Sequence, residues 1–247
     1  MKIRGYILSA IVLIFAVYLI YFVNIFIGVS GDVSKDTSAW GQFGDYTGGV
    51  LNPLLSFITI VLLIKSLTLQ YEANSNLKKE IRISEKTEKL RSFEVLFFNL
   101  LDAQKGLFES FKINMPDENN NPELLTGTKA VIALEEVIES MKESGKSNQE
   151  ITDYLDKLDE HDQIFGISRA FYILVMVVNE KLKDTDGFSS GDRSVHYKTL
   201  VNFTDFAQLR LVMMCVQFMD YESTKYIRST HEFTDVVTML GLSYEMY

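Results

Sequence analysis

Two histidines are the side chains of this sequence best suited to general acid or base catalysis near neutral pH. They are His196 and His231, and imidazole is the side chain whose ordinary pKa lies in that range. Each follows an arginine in the pattern R-S-x-H, at Arg193 and at Arg228. Helical ribonucleases of the HEPN type separate their arginine and histidine by more residues, so this spacing disfavours that class. We interpret both histidines as surface or packing residues, with catalysis as the weaker alternative.

Metal and phosphate sites are not indicated by the remaining polar clusters. The run Asp159–Asp162, with the sequence DEHD, collects metal-ligand types, but consecutive helical residues point in different directions. Gly145-Lys146-Ser147 matches the end of a P-loop, yet Ser140 stands where its first glycine is required. The single cysteine, Cys215, lies in an apolar segment and is predicted to be a buried, unreactive thiol. The sequence therefore predicts no catalytic residue, no cofactor and no metal site.

The elements that would position any site begin with two apolar segments near the N-terminus. Residues 6–29 carry no charged side chain and exceed the roughly 20 residues that a bilayer core requires. Their length and the lack of an A-x-A cleavage pattern argue against a signal peptide. A second span is predicted over 47–69, with Lys65 extending to the headgroups. Acidic residues dominate the connecting segment and basic residues flank the two spans, so both ends of the chain are predicted to be cytoplasmic.

Small and polar residues repeat at intervals of three and four along the second span. Helix faces of this kind pack closely against another helix. Asn52 is predicted to cap this span, with Pro53 at its first helical position. Asn24 and Gly28 lie on a similar face of the first span, and Asn24 is expected to face Asn52 or its own copy in a neighbouring protomer. The alternative is simple packing of a helical hairpin. The predicted packing residues are Asn24, Gly28, Gly48, Gly49, Asn52, Pro53, Ser56 and Thr59.

The rest of the chain is predicted to be helical, so the predicted class is all-α. Residues 1–69 would form a transmembrane hairpin, 70–91 a helical linker and 92–247 a cytoplasmic helical domain. Residues 65–91, which contain the linker and Lys65, carry seven basic and four acidic residues, a balance that suits anionic lipid headgroups. The domain carries 26 acidic and 14 basic residues, which disfavours nonspecific nucleic-acid binding.

Shorter features complete the predicted domain. The apolar stretch 164–178 is predicted to be a buried core helix, since Arg169 interrupts it. Residues 112–128 are predicted to be a loop because they are rich in Asn, Pro and Asp. Ser147 or Asn148 is predicted to cap a helix.

One long run resembles a known protein family. The sequence FGDYTGGVLNPLLSFITIVLLIKSLTLQ, from Phe43 to Gln70, is similar to phage abortive infection proteins of the AbiC-like family, which carry an FGDFFGGVLNP-type run leading into a second span that ends in L-x-LQ. Residues 93–107 and 197–218 resemble the family's F-x-x-x-FF-x-LL helix and its C-terminal helical segment. This chain departs from the pattern at Thr47, where an aromatic residue is common, and at Ala103, where a polar residue is usual. The resemblance implies a multi-pass protein of the bacterial inner membrane that aborts phage infection.

The residues and the resemblance together predict a membrane-anchored anti-phage defence protein. Its cytoplasmic domain would sense or bind a phage or host factor, and its spans would oligomerise or perturb the membrane. The expected partners are the lipid bilayer, further copies of the chain and a phage or host protein, but not nucleic acid. Two alternatives stay open: a membrane-tethered toxin of the helical nuclease type that uses His196 or His231, and a non-enzymatic signalling or recruitment module.

Overall fold

The computed structural model describes residues 3–28, 36–116 and 121–247, and this part of the chain is mostly helical. The predicted all-α class is therefore right for nearly all of it. The chain divides into two compact units, Met1–Arg82 and Ile83–Tyr247. The elements are α1 (Ile3–Gly28), α2 (Thr37–Glu109), β1 (Lys112–Pro116), β2 (Pro122–Thr126), α3 (Gly127–Glu143), α4 (Asn148–Leu158), α5 (Gln163–Lys181), a 3-10 turn (Asp184–Asp186), α6 (Ser190–Phe203), α7 (Phe206–Phe218), α8 (Glu222–Ser229) and α9 (His231–Met239).

Helix α2 runs without a break from Thr37 to Glu109. The predicted second span, the linker and the first helix of the domain are thus parts of one helix, and a hairpin with a separate second span is not confirmed. The predicted cap at Asn52 is wrong, because Pro53 lies inside the helix. The helix begins earlier, where the Asp36 carboxylate accepts a hydrogen bond of 2.9 Å from the backbone N–H of Ser38, one of the donors that a helix start leaves free.

In the first unit, aromatic side chains join α1 to the start of α2. The ring centroid of Tyr21 lies 4.1 Å from that of Phe43 and 6.1 Å from that of Tyr46. Tyr18 and Trp40 lie 5.9 Å and 6.2 Å from the same Phe43 ring. These contacts bring the later part of α1 to the early part of α2.

The second unit is built around the buried helices α5 and α7. The predicted core helix at 164–178 is confirmed, since Phe171, Leu174 and Val178 of α5 are fully buried. Helix α7 is apolar all round and buried along almost its whole length, which is the pattern of a helix enclosed by others. Helices α3, α6 and α8 pack around these two.

Polar side chains satisfy the free N–H groups at several helix starts of this unit. Ser147 caps α4, and its side chain and that of Glu150 form a reciprocal capping box, which confirms Ser147 as the predicted cap. Ser189 and Asp192 form the same arrangement at α6. The Asp205 side chain accepts from two backbone N–H groups at the start of α7. Each such cap contributes about 1 kcal/mol.

Two short strands, β1 and β2, lie within the segment 112–128 that the sequence predicts to be a loop; residues 117–120 of that segment lie outside the described residues. Strands β1 and β2 pair antiparallel, with Ile113 opposite Leu125 and Met115 opposite Glu123. Ile113 and Met115 point into the core while their neighbours are exposed. Two buried residues in alternation are too few to stand out from a sequence rich in Asn and Pro, which explains the missed strands.

A buried arginine ties three elements of the second unit together. The Arg193 guanidinium donates to both carboxylate oxygens of Glu232, at 2.6 Å and 2.7 Å. It also donates to the carbonyl of Leu182 at 2.7 Å and to the Asp184 carboxylate at 3.2 Å. The bonds to Glu232 hold the pKa of Arg193 above its ordinary value. The arginine of the first R-S-x-H pattern is therefore a structural anchor between α6, α9 and the end of α5.

Replacing Glu232 by glutamine should destabilise the protein, because the buried guanidinium loses its charged partner. We expect a cost of about 1–3 kcal/mol, reduced by the partial exposure of Glu232, and a fall in Tm of about 3–8 °C for a unit of this size. Circular dichroism of the full chain in detergent would measure it. The matched control is Glu222→Gln, whose pair with Lys225 is exposed and whose Tm should change by less than about 2 °C. Equal shifts for the two variants would contradict the anchoring role of Arg193.

Candidate functional site

The first unit exposes a large apolar surface. Among the described residues, α2 and α5 are long and apolar enough to cross a bilayer by length and composition, and α1 contains a shorter apolar stretch, Leu8–Val23. Helix α5 is a core helix, whereas the apolar residues of α1 and of the first half of α2 face outward. Such a surface is typical of contact with lipid or with another protein. The exposed residues include Leu8, Ile11, Val12, Phe15, Leu19, Ile20, Phe57, Ile60, Leu63, Ile64 and Leu67.

One face of α2 is shielded from solvent within the first unit. Thr47 and Leu51 are buried on this face, and Leu54, Ile58 and Lys65 continue it as half-buried residues. Among the described residues, the Thr47 hydroxyl finds no hydrogen-bond partner although it is buried. The aromatic contacts with α1 are made near the start of this face, at Phe43.

The predicted small and polar residues lie on the opposite face of α2. Gly49, Asn52, Ser56 and Thr59, here called the polar stripe, are all exposed. They lie about 120–200° around the helix from Thr47 at 3.6 residues per turn. A side chain added at Gly49 would meet open space, whereas one at Gly48 would touch the Asn52 amide nitrogen at 3.8 Å. Within the described part of the chain, the polar stripe is thus open to solvent.

Pro53 adds a polar group near this face. Proline has no N–H, so the carbonyl of Gly49 lacks the donor that the helix would otherwise supply. Membrane helices tolerate proline where neighbouring helices or polar side chains satisfy the freed carbonyl. Thr59 satisfies its own hydroxyl by donating to the carbonyl of Leu55 at 2.8 Å. The stripe therefore combines a close-approach glycine, an amide and a freed carbonyl.

The predicted pairing of Asn24 with Asn52 stays a prediction. The side chains of Asn24 and Gly28 lie outside the described residues. The aromatic contacts place Tyr21 level with Phe43, and Asn52 lies nine residues further along α2, away from the connection to α1.

His196 lies where α6 packs against α2. Its ring meets the rings of Phe93 and Phe97 edge to face, at 4.9 Å and 5.7 Å between centroids. Its Nδ1 lies 2.9 Å from the carbonyl of Asp192, and because a carbonyl only accepts, Nδ1 carries a proton. Its Nε2 lies 3.9 Å from a carboxylate oxygen of Glu94. The ring is thus held by packing and by acceptors, an arrangement that serves the helix contact.

The other residues of the two R-S-x-H patterns have different surroundings. His231 is exposed at the first position of α9, next to the Glu232 that binds Arg193. Arg228 donates to the carbonyl of Val216. The structure gives both arginines roles in packing, and the sequence reveals neither role because the partners are distant along the chain.

The acidic run at 159–162 forms the start of α5. The buried Asp159 carboxylate accepts hydrogen bonds from the backbone N–H groups of Ile164 and Phe165, at 2.7 Å and 2.8 Å. Burial raises the pKa of the Asp159 carboxyl, and the same hydrogen bonds oppose that rise. Within the described residues, no three His, Cys, Asp or Glu side chains form a group that could hold a metal ion. The cluster therefore serves as a helix cap.

Cys215 is fully buried in α7. Burial raises the pKa of its thiol well above the ordinary value. A thiol in this state is a poor nucleophile at neutral pH, which agrees with the predicted unreactive role.

The sequence did not indicate three contacts made by polar side chains of α2 within the second unit. Lys89 lies 2.5 Å from the Asp186 carboxylate, and Lys86 lies over the ring of Phe188. Deeper in the unit, the buried Gln104 amide donates to the Thr204 hydroxyl at 3.1 Å. The partners are about a hundred residues away in sequence, so no local pattern could have indicated them.

Comparison with known proteins finds no relative. No protein-family model, no curated protein and no solved structure matches the chain. The candidate site is therefore defined by the residues and contacts above.

Asp159→Asn should lower Tm less than Asp159→Ala does at pH 7, because its one amide oxygen can still accept one of the two backbone hydrogen bonds. Asp159→Ala should lower Tm by about 2–6 °C, since the two N–H groups lose their acceptor. Thermal unfolding with and without EDTA or divalent cations would measure both. A metal ligand would behave differently, with asparagine as damaging as alanine and the wild type stabilised by a cation.

The pH dependence should follow the raised pKa of Asp159. The folded state binds this proton more tightly than the unfolded chain, whose pKa is near 3.8. Stability from this group is therefore fully present at low pH and is lost as pH rises through the raised pKa. As the pH rises through this range, the Tm of Asp159→Asn should increase relative to the Tm of the wild type. If the Tm of the wild type instead increased relative to that of the variant, the raised pKa of Asp159 would be contradicted.

Proposed function

We propose that the chain is a membrane-anchored protein of bacterial anti-phage defence that acts by assembling in the membrane. Helices α1 and the first half of α2 would form the anchor, with both ends of the chain in the cytoplasm. The resemblance of residues 43–70 to the AbiC-like family supports the defence role, and the exposed polar stripe of α2 supports the assembly.

The membrane part of the proposal rests on where the apolar side chains lie. In water, the outward Leu, Ile, Val and Phe residues of α1 and α2 would remain exposed. This exposure costs about 25 cal/mol of free energy per Å² of apolar surface. A bilayer removes this cost. Lys65 stands at the end of the apolar part of α2, where a lysine can extend to the headgroups.

The polar stripe is the observation that supports assembly most directly. In a bilayer, small residues allow two helices to approach closely, and amides form hydrogen bonds across the contact. Because Gly49, Asn52 and Ser56 are exposed, they are available to another chain. One copy contributes two spans, too few to enclose a pore, so an effect on the membrane requires several copies.

The second unit suits a sensing or binding role. Its acidic surface disfavours nucleic acid, and its polar residues are used for helix caps and for the Arg193 anchor. His196 faces Phe93 and Phe97 rather than a cleft, which weakens the alternative of a tethered nuclease.

Survival of bacteria that express this chain would test the defence role. At a low ratio of phage to cells we expect the culture to survive a panel of phages, because infected cells die before they release progeny. At a high ratio we expect the culture to collapse. Equal killing with and without the protein, at both ratios, would contradict the proposal for those phages.

Variants separate the membrane mechanism from the nuclease alternative. Ser56→Ile should reduce protection about tenfold or more, because a branched side chain at a close helix contact costs about 1–3 kcal/mol. Ser56→Ala keeps the residue small and should protect like the wild type. His231→Ala and His196→Phe, which preserves an aromatic ring beside Phe93, should also protect. Loss of protection in both histidine variants, with normal protein levels in the membrane, would favour the nuclease.

A further inference from the structure

The part of α2 that follows the membrane span exposes every side chain. Residues 66–82 of the first unit are all exposed, a helical length of about 25 Å at 1.5 Å per residue. Among the described residues, no ion pair joins two side chains of this segment. Leu77 and Ile81 are nevertheless 56% and 55% exposed. Helices with outward apolar side chains of this kind usually pack against a partner.

These apolar side chains belong to a regular series. The intervals between its members alternate between four and three residues, which is the spacing of a coiled-coil seam. At 3.6 residues per turn, all members lie within about 40° of Leu63 around the helix, and the polar stripe lies within the same angle. We call this series the uncharged line; it consists of Leu63, Leu67, Gln70, Asn74, Leu77 and Ile81, all exposed.

The charged residues of the same segment avoid this line. Each lies at least about 60° from Leu63 around the helix. Two parallel copies related by a two-fold axis bring each seam residue against its own copy. A charge on the line would then face an identical charge, which is unfavourable, whereas Leu, Ile, Asn and Gln can each meet themselves. The charged residues are Lys65, Glu72, Lys78, Lys79, Glu80 and Arg82.

The two amides on the line suit a parallel pair. Asn74 and Gln70 each carry a donor and an acceptor, so each can form hydrogen bonds with its own copy. A single asparagine in a coiled-coil seam fixes the register and favours two strands. Leu69 and Tyr71 lie off the line, close to the end of the membrane span, where such residues are common.

The membrane decides the orientation of the partner. Copies inserted with the same topology are parallel and present the same residues at the same depth. Lipid cannot cover residues 70–81, which follow the span, and the polar stripe continues the same line into the bilayer. We propose that the partner of this face is a second copy of the chain, in a parallel two-stranded coiled coil along the uncharged line that continues into the bilayer through the polar stripe. This inference rests on the membrane anchoring of the proposed function.

Disulfide scanning in bacterial membranes tests the pairing. The native cysteine is first removed as Cys215→Ala, and single cysteines are then placed in the full-length chain. Gln70→Cys, Asn74→Cys, Leu77→Cys and Ile81→Cys should give at least several-fold more covalent dimer on oxidation than Glu72→Cys and Lys79→Cys, which lie on the opposite side. Equal yields at all six positions, a maximum off the line, or an adduct whose mass is not twice that of the chain would overturn the proposal.

A charge placed on the line gives an independent measurement. Leu77→Lys in the Asn74→Cys protein should reduce the covalent dimer about tenfold, whereas Glu72→Lys, off the line, should leave it unchanged. Equal effects of the two lysines would overturn the pairing. Survival of the bacteria after phage challenge is measured on the same strains, so that the dimer and the defence role are tested separately. Protection without line-specific crosslinks would overturn the dimer alone, and crosslinks without protection would overturn the defence role alone.

Discussion

The unbroken backbone of α2 is the constraint on which the other features of the chain depend. One helix supplies a membrane-length apolar segment, an exposed polar segment and a wall of the second unit's core, and the same hydrogen-bonding pattern must hold in each surrounding. It begins with the Asp36 side chain as an acceptor and passes Pro53 without ending. Towards its end, Phe93 and Phe97 are buried and Leu96 is exposed. The side chains on the surface of α2 therefore differ from one segment to the next, while the helical backbone is the same throughout.

In the second unit, buried polar groups determine how the helices meet. Arg193 is the clearest case, because four hydrogen bonds join it to three different parts of the chain. Asp159 joins the end of α4 to the start of α5 by accepting hydrogen bonds from two backbone N–H groups. It thereby takes the place of the N-cap residue Asp162, whose side chain makes no such bond. Each buried polar group costs free energy unless it is paired, so these contacts restrict the packing of an otherwise apolar core. The residues that first suggested chemistry, His196 and the acidic run at 159–162, are used in this structural way.

Local patterns predicted much of the helical fold. The spacing of apolar residues indicated the helices of the second unit, and the cap at Ser147 was predicted because capping depends on residues that are adjacent in sequence. Distant partners could not be predicted in this way, as Glu232 shows for Arg193. Strands β1 and β2 were missed because their signal is only two buried residues. Asn52-Pro53 has the composition of a helix start. The preceding residues also form helix, however, so Pro53 lies in the interior of α2.

The candidate site differed from prediction in its partner rather than in its residues. The sequence indicated that Gly49, Asn52 and Ser56 share a face, but which helix covers that face depends on how α1 packs. In the structure, Thr47 and Leu51 are buried on the other side of α2, whereas Gly49, Asn52 and Ser56 are exposed. On the proposed function, α2 has exposed small residues in the membrane and an uncharged line beyond it, so its unsatisfied packing lies along a single direction. Since copies in one membrane share depth and orientation, association with a second copy satisfies both parts at once, and the extent of association then depends on the amount of protein in the membrane. On the proposed function, this dependence would let the second unit control a lethal membrane effect by changing how readily the copies meet.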